Sequence, residues 1–304
     1  MELGVTFPQT EIGPDPLVVR DYAQAAESLG YDHLMAYDHV VGANIDRPDR
    51  AGGRWPYTHQ SNYHEPFVLF GYLAGITTRL GLVSGIIILP QRQTVLAAKQ
   101  AAAIDILSGG RLRLGVGLGW NTVEYEALGE NFRNRGRRLE EQIEVMRALW
   151  TQELVTFDGT WHHITDARIN PLPVQRPIPL WMGGAQGGAR ETGTVEPVLR
   201  RIARLADGWM LTGSPTDQVA ERIEQIRGYV REYGRDPQSF GFQGSISLRA
   251  GGPDQWHADL AGWQRLGATH VAINTMNAGL ERPQEHIDAI RRVYEELRPD
   301  MVRG

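Results

Sequence analysis

The chain has 304 residues, a formal net charge of −5 and no cysteine, with 41% hydrophobic and 22% charged residues. That balance describes a globular chain with material for a sizeable core, and the missing thiols exclude disulfides, thiolate metal sites, iron–sulfur clusters and cysteine nucleophiles. No basic stretch marks a nucleic-acid footprint, no apolar run reaches the ~18 residues of a membrane span, and "MELGVTFPQT" lacks the pattern of a secretion signal.

A cytoplasmic protein is therefore expected. Lys99 is the single lysine among 31 basic residues, so Schiff-base and P-loop lysine chemistry have one candidate, inside a helical pattern. In chain order, "LGVTFP" predicts the first strand and Pro14 to Leu29 the first helix, closed by Gly30. "YDHLMAYDHV" (Tyr31 to Val40) is the second strand. The polar, aromatic and glycine-rich segment from Val41 to Glu65 is too long for an ordinary connection and reads as a functional or disordered loop before a helix at about 66 to 78.

The third strand, "LGLVSGIIILP" (Leu80 to Pro90), is continuously apolar, as a strand covered on both faces should be. A helix from Thr94 to Leu107, the strand "RLRLGVGLG" and a helix from Gly136 to Trp150 follow. "VTFDGTWHHI" (Val155 to Ile164) alternates around Asp158-Gly159 and predicts an antiparallel hairpin. Four more strands, "IPLWMGG", "DGWMLTG", "FGFQGSISL" and "ATHVAINT", alternate with helices near 195 to 206, 216 to 233, 254 to 265 and 282 to 297. Eight strands and eight helices without a domain-sized linker predict one α/β domain over 1–304, a (β/α)₈ TIM barrel with insertions after strand two and before strand five.

Active-site residues of such a barrel sit where the strands end. Asp38 and His39 close the second strand; adjacent strand residues point to opposite faces, which favours His39 as the one facing the mouth. A histidine there serves as a proton donor, as a hydrogen-bond donor to substrate, or as a structural group bonded to a neighbouring loop. Gly115, Gly117 and Gly119 end the fourth strand with G-x-G-x-G spacing, which is not the dinucleotide fingerprint. Two readings stand for them: a tight turn at the mouth, or contact with a cofactor. "GGAQGGAR", from Gly183, precedes a helix carrying Arg200 and Arg201, and bare backbone N–H groups with an arginine suit a phosphate. The glycine in "VSGIIILP" marks a bulge or a close approach by another group. Asp38, His39, His59 and His64 allow a metal-dependent barrel hydrolase as an alternative, although no H-x-H or H-E-x-x-H spacing supports it, and no metal is expected.

Together "GYDHLMAYDHV", the long block "TRLGLVSGIIILPQRQTVLAAKQAAAIDILSGGRLRLGVGLGWNTVEYEALG", "RPIPLWMGG" and "RRIARLADGWM" resemble the luciferase-like monooxygenase superfamily, in particular its coenzyme F420-dependent oxidoreductase branch. The resemblance covers most of Gly30 to Met210. It implies a barrel that holds a deazaflavin or flavin at its mouth, with the ring against a strand-three bulge bearing a non-prolyl cis peptide, here Ser84, Gly85 and Ile86. It further implies that Gly117, Gly119 and Trp120 line the mouth, that Gly183, Gly184 and Ala185 take the phosphate, for which the residue pattern itself already offers Arg201 as the arginine, and that His39 and Asp38 lie near the reactive carbon. Some relatives carry a glutamate proton donor after strand four; Trp120 stands near that place and Glu124 follows one helical turn later. The activity implied is F420-dependent hydride transfer to or from a small organic substrate by a possible homodimer. The alternative is an FMN-dependent monooxygenase using oxygen; a non-catalytic flavin-binding relative is a third reading.

Overall fold

The computed structural model describes residues 1–44, 46, 47, 56–185 and 195–302. Its strands are β1 (Glu2–Thr6), β2 (His33–Ala36), β3 (Gly81–Ser84), β4 (Ile87–Ile88), β5 (Leu112–Gly117), β6 (Val155–Asp158), β7 (His163–Ala167), β8 (Leu180–Gly183), β9 (Gly208–Met210), β10 (Gly241–Ser247) and β11 (His270–Asn274). The helices are α1 (Pro16–Leu29), α2 (Pro66–Ile76), α3 (Thr94–Leu107), α4 (Thr122–Ala127), α5 (Arg135–Thr151), α6 (Glu196–Leu205), α7 (Asp217–Glu232), α8 (Pro253–Arg265) and α9 (Pro283–Val302).

Local chemistry sets the helix ends. Asp15 caps α1 by accepting from the Leu17 amide at 2.9 Å, Pro16 takes the first turn where no N–H is needed, and Gly30 ends the helix at φ 101°. Glu65 caps α2 in the same way through the Val68 amide. Eight strands pair in parallel in the order β1-β2-β3-β5-β8-β9-β10-β11, and β11 returns to β1, closing the barrel; β4 prolongs β3 along β5. The TIM barrel expected from the alternation of elements is the fold observed.

Three local readings change. The second strand ends at Ala36 rather than Val40, because Tyr37 to His39 already turn over the mouth. The third strand is interrupted after Ser84. The hairpin is antiparallel as expected, but Asp158 pairs with His163, so its turn is 159–162 and its second strand runs on to Ala167. Glu141 of α5 holds that turn by accepting the amides of Thr160, Trp161 and His162 at 2.8–2.9 Å. The short helix α4 was not anticipated.

A large apolar core lies between the sheet and its helices. A second cluster, Met35, Val83, Trp181, Met210 and Ala272, draws one residue from each of β2, β3, β8, β9 and β11, and the place those strands share is the barrel interior. Glycines leave room for the large side chains inside the sheet: a Cβ at Gly208 or Gly241 would drive into the Trp181 indole, and one at Gly4 into the ring of His33, which lies outside this cluster.

At the end where the strands begin, the interior is polar. Arg113 stacks over Trp181 at 4.5 Å and donates from Nη2 to Gln243 at 2.6 Å, while its Nε and Nη1 are buried without a partner among the described residues. Glu2 and His270 pair at 3.0 Å. His33 is buried, and among the described residues neither ring nitrogen has a partner. Burial holds the His33 imidazole well below its ordinary pKa and brings the Arg113 guanidinium down to about 10. Among the described residues no helix is long and apolar enough to cross a membrane.

Candidate active site

The interruption of strand three is a bulge. Val83 pairs with Arg113 and Ile87 with Val116, so four steps along strand three span three along β5. The extra residue falls at Ser84, Gly85 and Ile86, and the Gly85–Ile86 peptide is cis, at the place the family resemblance implied. The Ser84 hydroxyl fills the gap in the ladder: Oγ donates to the Gly115 carbonyl at 2.8 Å and accepts from the Gly115 amide at 2.9 Å. Its side chain is thus spent on β5 and not free for a ligand. Gly85 donates to the Ala36 carbonyl, and Ile86 packs with Tyr37 on the Met35, Val83 and Met210 cluster, giving the bulge an apolar floor.

His39 stands just beyond β2. Its Nδ1 lies 3.1 Å from Glu124 Oε1, and its ring stacks on Tyr57 at 3.7 Å with Tyr63 edge-on at 4.7 Å. Glu124, on the first turn of α4, has 0% exposure yet is fully engaged. Oε1 also accepts from the Tyr57 hydroxyl at 3.2 Å and the Val40 amide at 3.3 Å, and Oε2 accepts from Gln91 at 3.2 Å. Asn121 caps α4 through the Val123 amide and donates to the Tyr57 oxygen at 2.9 Å. Burial, reinforced by the Glu124 charge, pushes the Tyr57 phenol above its usual pKa, so it acts as a neutral donor. Trp120 meets the Tyr57 ring edge-on at 5.6 Å. A cleft beside His39 is lined by Val40, Gly42, Tyr57, Thr58, Ser61 and Tyr63.

Asp38 does something different from His39. It is buried, accepts from the Ile88 amide at 2.9 Å and pairs with Arg92 at 2.7 Å. Arg92 bridges on to Glu65 at 2.7 Å, joining the end of β2, the bulged strand and the cap of α2. Burial works against the Arg92 charge, but the two carboxylates outweigh it and hold its pKa above the ordinary value.

Beyond β8, Gly184 (φ 135°) and Ala185 (φ 55°) turn the chain sharply, with their carbonyls held by Trp209 Nε1 at 2.8 Å and Arg222 Nη1 at 2.6 Å. Gly183 ends β8 opposite Met210. The rest of the glycine-rich loop lies outside the described residues. Arg201 is not drawn to this turn: it pairs with Glu140 of α5 at 2.7 Å, and Arg200 pairs with Glu196 and Glu232. The four residues weighed as a metal set are not gathered either. Asp38 belongs to Arg92, His39 to Glu124, His64 packs toward Phe7 at 6.5 Å, and His59 donates its amide to Ala43. Among the described residues no group of three or more His, Asp or Glu side chains is placed to hold a metal.

Sequence reasoning brought out His39 and the bulge but left the supporting side chains, Tyr57, Gln91 and Arg92, unremarked and gave Glu124 no role. One signal was present: Asn121 followed three residues later by Glu124 is a helix-start pattern, which places a carboxylate at the mouth just after strand four.

The family model of luciferase-like monooxygenases matches residues 2–301. An uncharacterized protein of Mycobacterium tuberculosis is 35% identical over 221 residues, covering 70% of this chain and 71% of its own. An FMNH₂-dependent dimethylsulfone monooxygenase of Pseudomonas putida is 31% identical over 68% of this chain, which spans 52% of that enzyme. Among solved structures, the monooxygenase RslO1 of Streptomyces bottropensis superposes with a TM-score of 0.80 at 20% identity, covering 99% and 100% of the two chains. An F420-dependent secondary alcohol dehydrogenase, solved with an F420–acetone adduct, superposes at 0.74 with 17% identity, covering 97% and 98%.

Proposed function

The chain belongs to the luciferase-like monooxygenase family, and from that premise we propose that it is a coenzyme F420-dependent oxidoreductase acting on a small organic alcohol or carbonyl compound. The observation that carries this reading is a histidine with one ring nitrogen fixed on a buried carboxylate, standing beside an apolar, bulged strand end. The residues present suit a flat tricyclic ring. Met35, Val83, Met210 and Ile86 offer an apolar floor without charge, and the turn at Gly183, Gly184 and Ala185 suits a phosphate, because Trp209 and Arg222 hold its carbonyls and the Ala185 N–H points away from Trp209. The deazaflavin, when bound, supplies a hydride donor or acceptor.

The chain's own part is proton handling and positioning. With Nδ1–H donating to Glu124, the neutral His39 ring carries its lone pair on Nε2 and takes a hydroxyl proton; in the opposite direction the imidazolium returns one to a carbonyl oxygen. Glu124 fixes the tautomer of the neutral ring and stabilises the imidazolium, and Tyr57, the Val40 amide and Gln91 hold Glu124 in place. Asp38 acts through Arg92 to fix the backbone that presents His39.

The relative that uses FMNH₂ keeps an oxygen-using monooxygenase as the second reading. Fluorescence titration with F420 and with FMN separates the two. F420 binding, with His39→Ala retaining most of the affinity while losing turnover, is the expected result. FMN binding alone would move the chain to the second reading, and binding of neither would end both.

A further inference from the structure

Two glycines at the end of β5, Gly115 and Gly117, and a third just beyond it, Gly119, face the bulged strand in turn. A Cβ at Gly115 would run into the carbonyl oxygen of Ser84 and lie 2.5 Å from Met210 Sδ. One at Gly117 would lie 2.6 Å from Ile86 Cδ1 and 2.9 Å from its Cγ1, and one at Gly119 would lie 2.7 Å from Ile88 Cγ2. Ser84, Ile86 and Ile88 have the same two-residue spacing as the glycines, and they span the bulge: Ser84 before its irregular peptide, Ile86 after it, Ile88 at the end of β4. Each glycine thus opens the space that one element of the bulged strand occupies. Real side chains do not approach below about 3 Å without something moving, so the space is already taken by protein.

We infer that Gly115, Gly117 and Gly119 are positioning residues that seat the strand-three bulge, so the protein interior rather than a ligand is what excludes side chains there. The Ser84 hydroxyl is the polar half of the same device. It stitches the bulge to Gly115, and only a β5 without a Cβ at that point comes close enough for both hydrogen bonds. The spacing of Gly115 and Gly117 thus follows from strand geometry: positions on one strand face recur every second residue, and so do the obstacles on its neighbour. Gly119, at φ 63°, combines this crowding with a backbone that disfavours any other residue. Gly117 lies in regular strand with no such constraint, so it isolates the steric part.

The assignment bears on the proposed function because the bulge forms the floor on which that reading places a ring. A double-mutant cycle in the full chain tests it with Gly117→Ala, Ile86→Ala and the two combined. Thermal unfolding without ligand should show Gly117→Ala lowering the midpoint by about 2–10 °C in the native background, the effect of an overpacked methyl, and almost nothing in the Ile86→Ala background. An equal loss in both backgrounds would overturn the assignment. Should Gly117→Ala alone fail to fold, recovery of a folded protein on adding Ile86→Ala supports it, and failure of the double variant when Ile86→Ala folds overturns it.

Titrating the same variants with F420 and FMN adds a second readout. A loss of affinity of about tenfold in Gly117→Ala, recovered to the level of Ile86→Ala when both are present, is expected. Affinity that stays low while the melting midpoint recovers would mean that the methyl blocks the ligand itself, against the assignment. If the native chain binds neither compound, the functional reading fails, and the unfolding cycle still decides the role of the glycines.

Discussion

His33 and His39 stand at opposite ends of one barrel strand and live under opposite rules. His39 has Nδ1 on a carboxylate and an aromatic ring on its face, whereas His33 is sealed among packed residues with neither nitrogen satisfied among the described residues. The arginines repeat the contrast. Arg92, beside His39, is neutralised by two carboxylates, while Arg113, near His33, makes one side-chain hydrogen bond to a glutamine and leaves two buried nitrogens alone. In these two pairs the groups near the strand C-termini are better supported than those at the start, as in a barrel with its site at one end. The difference separates polar residues whose partners fix their geometry from polar residues held by packing alone.

The largest effect that would break the contrast is on turnover. On the proposed function, His39→Ala should lower the rate of the F420-linked reaction by about 10²–10⁴-fold, as loss of a general acid–base does, and should move the melting midpoint less than the rate. His33→Ala should show the reverse pattern, with a lower midpoint from the cavity it leaves and activity per folded molecule retained. If both variants lose activity together, the two ends are not functionally distinct.

Next in size is a pair of arginine substitutions read by urea unfolding. Arg92→Met leaves the Asp38 carboxylate buried and unpaired and should cost about 3–5 kcal/mol. Arg113→Met should cost distinctly less, because it removes two unsatisfied buried donors along with the charge and leaves only the neutral Gln243 oxygen without its donor, not a carboxylate. Equal costs at the two positions would show that Arg113 has compensation as complete as that of Arg92.

Periodicity made the barrel legible in the sequence because each strand and helix advertises its own burial pattern, and the helix Thr94 to Leu107 is observed with the bounds expected. The bulge was legible through a single glycine in an apolar run, and His39 through its place after strand two. The carboxylate that completes the site was harder to read. Glu124 lies 85 residues from His39 and meets it only because β2 and β5 both end at the mouth. Arg201 shows the converse: its type and position suited a phosphate, but whether an arginine reaches a loop or a neighbouring helix depends on where Glu140 falls on α5. The glycine spacing was visible from the start, and its complement on strand three needed the register.

The smallest effect concerns the acid limb of stability, where the His33 end should respond more than the mouth. Burial lowers the folded-state pKa of His33, so as pH falls below about 6.5 the unfolded chain takes up a proton that the folded chain refuses. The stability this histidine allows at neutral pH is therefore lost as pH drops from its unfolded pKa toward its folded one, at up to about 1.4 kcal/mol per pH unit. His33→Met keeps an adaptable apolar side chain against Gly4 and removes both orphan nitrogens. Its midpoint at pH 7 should equal or slightly exceed that of the native chain, and its decline between pH 7 and pH 5 should be shallower. A residual decline will persist, because burial also lowers the pKa of His270, beside Glu2, and of His286, which lies 3.6 Å from Glu11. Melting curves at half-unit pH steps decide the matter: superimposable profiles for the two proteins would mean that His33 takes up its proton in the folded state as readily as in the unfolded one, and that the inner end of the barrel is less sealed than its packing indicates.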